Sequence, residues 1–328
     1  MATAIGALST GLPTLTLSQI VARGLATGLV ILIGVVAVEE LPPRSRAYGV
    51  SMLILLAGLG SGMVVWLLPL ADTSDRGWRL IYAMALVFLP FAWWAASKLP
   101  TTLRFASLGA MSTHNALREL RENSLFRSRL ILLGTTALLG SLFAQPASQF
   151  DNDFLRSELG FDGARITLFT IFTSTPVGIG VLAGGIMADR IGRRPIGALG
   201  ILIGATMTVW SFFAGEPEIW AIRTVGTILG SGLAVAALAV YGPELFPTRL
   251  RSTANGAITA FAVIGTVIGL QLVGRLAEQW GAFGPAIAVV AVGPAIVILL
   301  ILTRYPETAS RTLEEINDEP ELDTTTLG

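Results

Sequence analysis

The chain has 328 residues, of which 53% are hydrophobic and 13% are charged, whereas a soluble domain carries about 25% charged residues. Basic and acidic residues balance to a net charge of +0, so nucleic acid is a poor candidate partner. The sequence has no cysteine and a single histidine, His114; this excludes disulfides, thiolate chemistry and multi-histidine metal sites, and no cofactor is expected.

Long apolar stretches occur throughout the chain. A helix needs about 20 apolar residues to cross the ~30 Å core of a bilayer. Stretches of that kind are found at residues 17–38, 47–71, 78–97, 130–150, 166–188, 196–214, 219–241, 255–273 and 283–303. The apolar run at 2–12 is shorter and has no basic residues before it, so we expect the end of an interrupted helix rather than a signal peptide. The predicted fold class is all-α, a polytopic membrane helix bundle with nine full spans and a partial N-terminal one.

The basic residues predict how these spans are oriented. If the C-terminus is cytosolic, most lysines and arginines fall in the loops on the cytosolic side, including the cluster at residues 190–194. Short cytoplasmic loops carry such an excess in membrane proteins. We therefore predict a multi-pass protein of the cell (inner or plasma) membrane with a cytosolic C-terminus.

An internal repeat relates the two halves of the chain. Arg23, near the outer end of its span, is followed by glycines and then, at the other end, by Glu-Leu-Pro-Pro-Arg-Ser-Arg at 40–46. Arg223 is likewise followed by glycines and then by Glu-Leu-Phe-Pro-Thr-Arg-Leu-Arg at 244–251. The two copies lie about six spans apart, as in transporters built from two parallel six-helix repeats. A complete pair of repeats has about twelve spans, so we expect that the first two and a half, roughly, are absent.

Three loop motifs carry a family resemblance. They are Gly-Ile-Met-Ala-Asp-Arg-Ile-Gly-Arg-Arg at 185–194, Pro-Glu-Leu-Phe-Pro-Thr at 243–248 and Pro-Glu-Thr-Ala-Ser-Arg-Thr-Leu-Glu-Glu at 306–315. The first resembles the G-x-x-x-D-R-x-G-R-R loop of the major facilitator superfamily, and the others resemble C-terminal signatures of its sugar-porter and metabolite-transporter branch. The chain departs from the family at 99–104, where an acidic residue usually follows the proline.

The resemblance also implies a division of the chain. It would comprise an incomplete N-terminal bundle at 1–100 (a remnant of family helix three and helices four to six), and a cytosolic linker at 101–129. A six-helix C-terminal bundle at 130–305 and a cytosolic tail at 306–328 would follow.

One set of charged residues is expected to form a gate. Asp189 is predicted at the C-terminal end of a helix, where the helix dipole disfavours a carboxylate, so it should meet a cation or the N-terminus of another helix. The resemblance implies that it latches the two halves when the cytosolic side is shut. The predicted gating network comprises Asp189, Arg190, Arg193, Arg194, Glu244, Arg251 and Glu307, with Glu40 as a further carboxylate. The alternative is that these basic loops only follow the positive-inside rule.

A second set is expected to line the solute cavity. Gln145, Gln149, Asn152 and Asp153 recur at helical spacing on one face, and a polar stripe on a span must face protein or water rather than lipid. The remaining candidates are Thr170, Ser174, Asn255 and Gln271 on other spans, together with Arg23 and Arg223 near the outer ends of theirs. Hydrogen bonding between helices is the alternative reading for these side chains, and the two arginines can also snorkel to the interface.

These observations predict a transporter rather than an enzyme. The expected function is the movement of a small polar organic solute (a sugar, organic acid or similar metabolite) across a lipid bilayer by alternating access between two helix bundles. The alternative is a non-transporting membrane receptor or scaffold, or an inactive fragment of a transporter. Proton coupling is left open, because no predicted span carries a carboxylate near its centre.

Overall fold

A computed structural model describes residues 2–9, 11–67, 77–98 and 113–317 of the chain. The described residues form helices and no strands. The longer helices are α1 (Leu12–Glu40), α2 (Arg46–Leu67), α3 (78–98, in the pieces Trp78–Met84, Ala85–Phe88 and Leu89–Lys98), α4 (Thr113–Glu122), α5 (Ser124–Gln149), α6 (Gly163–Ile191), α7 (Arg193–Ser211), α8 (Glu218–Glu244), α9 (Thr248–Trp280) and α10 (Phe283–Arg304). Short helical pieces occur at Ala2–Ile5, Gly6–Leu8, Pro43–Ser45, Asp151–Ser157 and Leu313–Asn317.

The apolar stretches of the sequence coincide with these helices. Within the described ranges, 6 helices (α1, α5, α6, α8, α9 and α10) are long and apolar enough to cross a membrane. Shorter apolar helical segments lie at Arg46–Gly60 and Arg79–Trp94, and α7 begins with two arginines that lower its apolar character. The predicted all-α polytopic class is confirmed.

The first C-terminal helix starts within the predicted linker. Helix α5 begins at Ser124, so residues 124–129 of that linker form the first turns of the helix. Asn123 sets this start, because its side-chain oxygen accepts hydrogen bonds from the backbone N–H of Leu125 at 2.9 Å and of Phe126 at 3.3 Å. Residues 101–112 of the expected linker and 318–328 of the expected tail lie outside the described residues.

Glycines let α6 and α8 cross closely. A Cβ atom on Gly180 would lie 1.9 Å from the carbonyl oxygen of Ile228, and one on Gly232 would lie 2.6 Å from the carbonyl carbon of Gly180. Around this crossing α8 takes a π-helical form over Gly226–Gly232. Small residues at such contacts are typical of membrane helix packing.

An apolar cluster joins the N-terminal helices to the C-terminal ones. Val38 of α1 and Ala47 and Val50 of α2 pack in one buried group with Ala188 of α6 and Leu233 of α8. This contact brings the end of α1 and the start of α2 against the end of α6. The charged residues at those helix ends are thereby placed next to one another.

Candidate functional site

The main polar assembly of the fold lies at this junction and is called the charge cluster below. It consists of Glu39 and Arg46 from the N-terminal helices, Asp189, Arg193, Glu244 and Arg251 from the C-terminal helices, and Glu307. Apart from Glu307, whose burial is partial, these side chains are almost entirely removed from solvent.

Asp189 links α6 to α2. Its carboxylate accepts hydrogen bonds from the backbone N–H groups of Ala47 at 3.3 Å and Tyr48 at 3.0 Å, in the first turn of α2. Arg193 lies one turn further along the chain, with its Nη2 at 3.4 Å from Asp189 Oδ1. The unfavourable interaction between this carboxylate and the C-terminal end of α6 is therefore offset by a cation and by the positive end of another helix.

Arg193 is at the centre of the charge cluster. Its side chain is 0% exposed, and Nη1 donates to Glu244 Oε2 and, at 2.8 Å, to Thr308 Oγ1. Gly192 makes the tight turn that places it, since its φ of 128° is one that side-chain-bearing residues rarely adopt. This turn gives a structural reason for the glycine in the Asp-Arg-x-Gly-Arg-Arg motif.

Glu307 supports the same turn from the other side. Its two carboxylate oxygens accept hydrogen bonds from the backbone N–H groups of Arg193 at 3.0 Å and Arg194 at 3.2 Å. These groups begin α7, where a carboxylate is favourable. The side chain of Arg194 turns away and donates to the backbone carbonyls of Ile301 and Leu302.

Two further ion pairs cross between the N-terminal and C-terminal helices. Arg251 Nη1 lies 2.8 Å from Glu39 Oε1, and Arg46 Nη1 lies 3.7 Å from Glu244 Oε1. Neither Glu39 nor Arg46 was among the predicted gating residues. The helical pattern contains a signal for Glu39, because it lies one turn after the buried Val35 on the same face of α1.

Two of the predicted gating residues are placed elsewhere. Glu40 is exposed at the end of α1, and its neighbour Glu39 is the carboxylate that pairs with Arg251. Arg190 is also exposed, and within the described ranges neither residue belongs to an ion pair. The reason is geometric: each lies one position, about 100° of helix rotation, from the neighbour that faces the junction.

A second polar feature is a cavity of about 440 Å³ among the C-terminal helices, called the C-terminal cavity below. Its wall contains the hydroxyl residues Ser148, Ser174, Thr208, Thr227 and Ser231, backbone at Gly200, Gly204 and Gly230, and the charged residues Asp151 and Arg223. A cavity of this size is in the range of small-molecule sites.

The charged pair in this wall is formed by Arg223 and Asp151. Arg223 Nη2 lies 2.5 Å from Asp151 Oδ1, and the guanidinium carbon lies 4.9 Å from the centre of the Phe212 ring. Burial raises the pKa of the Asp151 carboxyl above its ordinary value, and the positive charge of Arg223 opposes that shift without cancelling it. The surroundings of Asp151 therefore stabilise its charged form less than bulk water does.

Of the predicted cavity residues, Ser174 and Arg223 line the C-terminal cavity. Asn255 instead donates its side-chain N–H to the backbone carbonyl of Arg251 at 2.8 Å. The others are exposed and do not line it: Gln145, Gln149, Asn152, Asp153, Thr170, Gln271 and Arg23. On α5 the C-terminal cavity is lined by the face of Ala144, Ala147 and Ser148, and the glutamines lie on another face of that helix, where they stay a prediction for the solute pathway.

No metal centre is formed by the part of the chain that the structure describes, in which no three His, Cys, Asp or Glu side chains are grouped to hold an ion. The two polar features are a buried charge cluster between helix ends and a small cavity with one ion pair.

Comparison with known proteins decides the family. The family model of the Major Facilitator Superfamily matches residues 150–324, which include all the C-terminal helices from α6 onward. The chain belongs to the Major Facilitator Superfamily. The resemblance inferred from the three loop motifs is confirmed, and transmembrane transporters are the class in which its relatives are found.

Two relatives show how far the sequence likeness extends. The cis,cis-muconate transport protein of Acinetobacter baylyi is 26% identical over 243 residues, which cover 68% of this chain and 56% of that protein. Solute carrier family 22 member 12 of Homo sapiens is 26% identical over 327 residues, covering 88% of this chain and 57% of that protein. The chain thus spans a little over half the length of these two relatives.

The fold of the superfamily is also found directly by structural comparison. The proton:xylose symporter XylE superimposes with a TM-score of 0.75 and 18% sequence identity, covering 96% of this chain and 79% of that one. At this identity the likeness shows the fold alone.

Proposed function

We propose that this chain moves a small polar organic solute across the membrane by alternating access, and that the charge cluster closes the cytosolic side. The observation that carries the proposal is the way the cluster joins the two sets of helices. Asp189 binds the start of α2, Arg251 binds Glu39 of α1, and the pairs are buried. A contact made of helix ends and ion pairs can separate as a unit when two bundles rock.

The cytosolic placement of the cluster rests on the positive-inside rule. The helix ends that meet in the cluster include the end of α6 and the start of α7, which carry the group Arg190, Arg193 and Arg194. With the cluster on the cytosolic side, its buried ion pairs support the proposal that this arrangement is closed to the cytosol.

The solute pathway between the bundles is proposed to run along the exposed polar stripe of α5. Gln145, Gln149, Asn152 and Asp153 lie on its face and in the short helix that follows, and all are exposed. Within a membrane, polar side chains on a helix surface face protein or water, because lipid cannot satisfy their hydrogen bonds. Gln271 of α9 is also exposed.

The names of the relatives support the solute class. One is a muconate transport protein, and the symporter with the same fold carries xylose, so organic acids and sugars are both represented. The proposed solute is accordingly a small polar metabolite. Uptake in the presence and absence of a pH gradient tests whether protons are the coupling ion.

Uptake into proteoliposomes tests this proposal. The purified chain is reconstituted and offered radiolabelled cis,cis-muconate and D-xylose, with Gln149→Ala and Arg193→Ala as test variants. Gln279→Ala is the matched control, because Gln279 is an equally exposed glutamine at the end of α9. We expect saturable uptake of at least one solute, lost in the two test variants and kept in the control. Binding without uptake in the native chain would favour the receptor alternative, and unchanged uptake in both test variants would contradict the site assignment.

A further inference from the structure

The C-terminal cavity contains a cation whose hydrogen-bonding capacity is only partly used. A guanidinium group has five N–H donors, and the hydrogen bond seen for Arg223 within the described ranges is the one from Nη2 to Asp151. Its Nε is buried and has no hydrogen-bond partner among those residues. The part of the side chain that remains exposed, 15% of it, lies at the cavity wall, so N–H donors that Asp151 does not use are open to an acceptor in the cavity.

The position of Arg223 is fixed independently of Asp151. The guanidinium stacks on the Phe212 ring, and its side chain is 15% exposed, at the cavity wall. Asp151 is 24% exposed, so it has the better access to water. If the pair separates, the carboxylate can be hydrated while the guanidinium stays in the wall.

We propose that the C-terminal cavity is a subsite for the carboxylate of a small organic anion, with Arg223 as its receptor and Asp151 as the internal carboxylate that the solute displaces. This inference rests on the proposed transport function and narrows its solute class. The exchange replaces one carboxylate by another, so the charge at the guanidinium stays balanced throughout.

The rest of the cavity wall offers polar groups to the part of the anion that lies beyond its carboxylate. Ser148, Ser174 and Ser231 present hydroxyl groups, and backbone of α7 and α8 is open at Gly204 and Gly230. A planar carboxylate can take two parallel hydrogen bonds from one arginine, which a hydroxyl of a sugar cannot do. The subsite should therefore prefer an anion to a neutral molecule of the same shape.

Equilibrium binding to the full chain in detergent or nanodiscs tests the subsite without requiring transport. Benzoate and benzamide are the probes, because they are similar in shape and differ in charge, and cis,cis-muconate is a second anion. In the native chain we expect the two anions to bind, and benzamide to bind about tenfold more weakly than benzoate or worse, since the charge-assisted bond is lost. Equal affinity for benzoate and benzamide, or no binding of either anion, would overturn the proposal.

Two substitutions separate a ligand site from a structural ion pair. Asp151→Asn removes the competing charge and should tighten anion binding about threefold or more, whereas Arg223→Gln should weaken it about tenfold or more. Arg223→Lys keeps the charge without the planar fork and should give an intermediate affinity. A parallel loss of binding in Asp151→Asn and Arg223→Gln would show a structural pair and overturn the proposal.

The control is Arg165→Gln. Arg165 also pairs with a carboxylate, that of Glu216, and lies 4.6 Å from the centre of the Phe161 ring, but it does not line the C-terminal cavity. Its replacement should leave anion binding unchanged, and a loss equal to that of Arg223→Gln would overturn the assignment. Failure of the transport proposal is distinguishable, because it would leave this binding intact while uptake is absent. Uptake of D-xylose with no anion binding would overturn the subsite alone.

Discussion

Replacing Arg193 by alanine removes the cation at the centre of the charge cluster. Arg193 is completely buried and bonds both Glu244 and Asp189, so its loss leaves two carboxylates in a low-dielectric site. Removing one partner of a buried ion pair costs about 3–5 kcal/mol in general. Glu244 keeps Arg46 at 3.7 Å and Asp189 keeps its two backbone donors, so we take the lower figure, about 3 kcal/mol.

That loss acts on the closed arrangement of the cluster and not on an open one, in which the carboxylates reach water. A change of about 3 kcal/mol shifts the ratio of open to closed molecules by roughly a hundredfold. The absence of cysteine from the chain makes this ratio measurable by thiol labelling. Ser51→Cys places a single thiol on α2 at a fully buried position next to Gly185 of α6.

The assay is the rate at which a maleimide labels Ser51→Cys, with and without Arg193→Ala. If labelling requires the junction to open, the rate rises in proportion to the open fraction, up to about a hundredfold. Arg165→Ala, which breaks a partly exposed ion pair away from the junction, should leave the rate unchanged. An unchanged rate in Arg193→Ala would refute the view that Arg193 holds the junction shut.

Three further predictions follow from particular contacts. Glu39→Gln should speed the labelling of Ser51→Cys about five- to tenfold, because it weakens the buried charge-assisted bond to Arg251. Glu40→Gln, at an exposed position, should leave the rate unchanged, and equal effects of the two substitutions would contradict the assignment of Glu39. Gly180→Ala should lower the free energy of unfolding in detergent by about 1–3 kcal/mol, because the added carbon overpacks against α8. Gly28→Ala is the control and should be tolerated, since no atom lies within 4 Å of its added carbon. Equal melting temperatures of the two variants would argue against the close crossing of α6 and α8. Ser157→Cys should react with a membrane-impermeant maleimide on intact cells, and protection there would reverse the proposed orientation.

The sequence was most informative about the spans and the main loop motif. The length of an apolar stretch is a direct consequence of bilayer thickness, which is why the helices coincide with the expected stretches. The contact of Asp189 with another helix's N-terminus also followed from the helix dipole, because an unfavourable helix end has few ways to be satisfied.

Side-chain direction was less predictable. Glu39 and Glu40 are adjacent and chemically identical, and only the packing of α1 against α9 decides that the first meets Arg251. On α5 the sequence drew attention to the polar glutamines and gave no sign of the C-terminal cavity, which is lined by small residues beside them, including Ser148. A single sequence contains the helical periodicity but not the identity of the neighbouring helix at each face.

The rates at which a maleimide labels one cysteine at the charge cluster and one at the exposed stripe test the central claim most directly. Ser51→Cys reports on the charge cluster, and Gln149→Cys reports on the exposed stripe at the opposite end of α5. In an Arg193→Ala background, alternating access predicts faster labelling of Ser51→Cys together with slower labelling of Gln149→Cys, because opening one side closes the other. Labelling that rises at both positions, or changes at only one, would contradict alternating access controlled by the charge cluster.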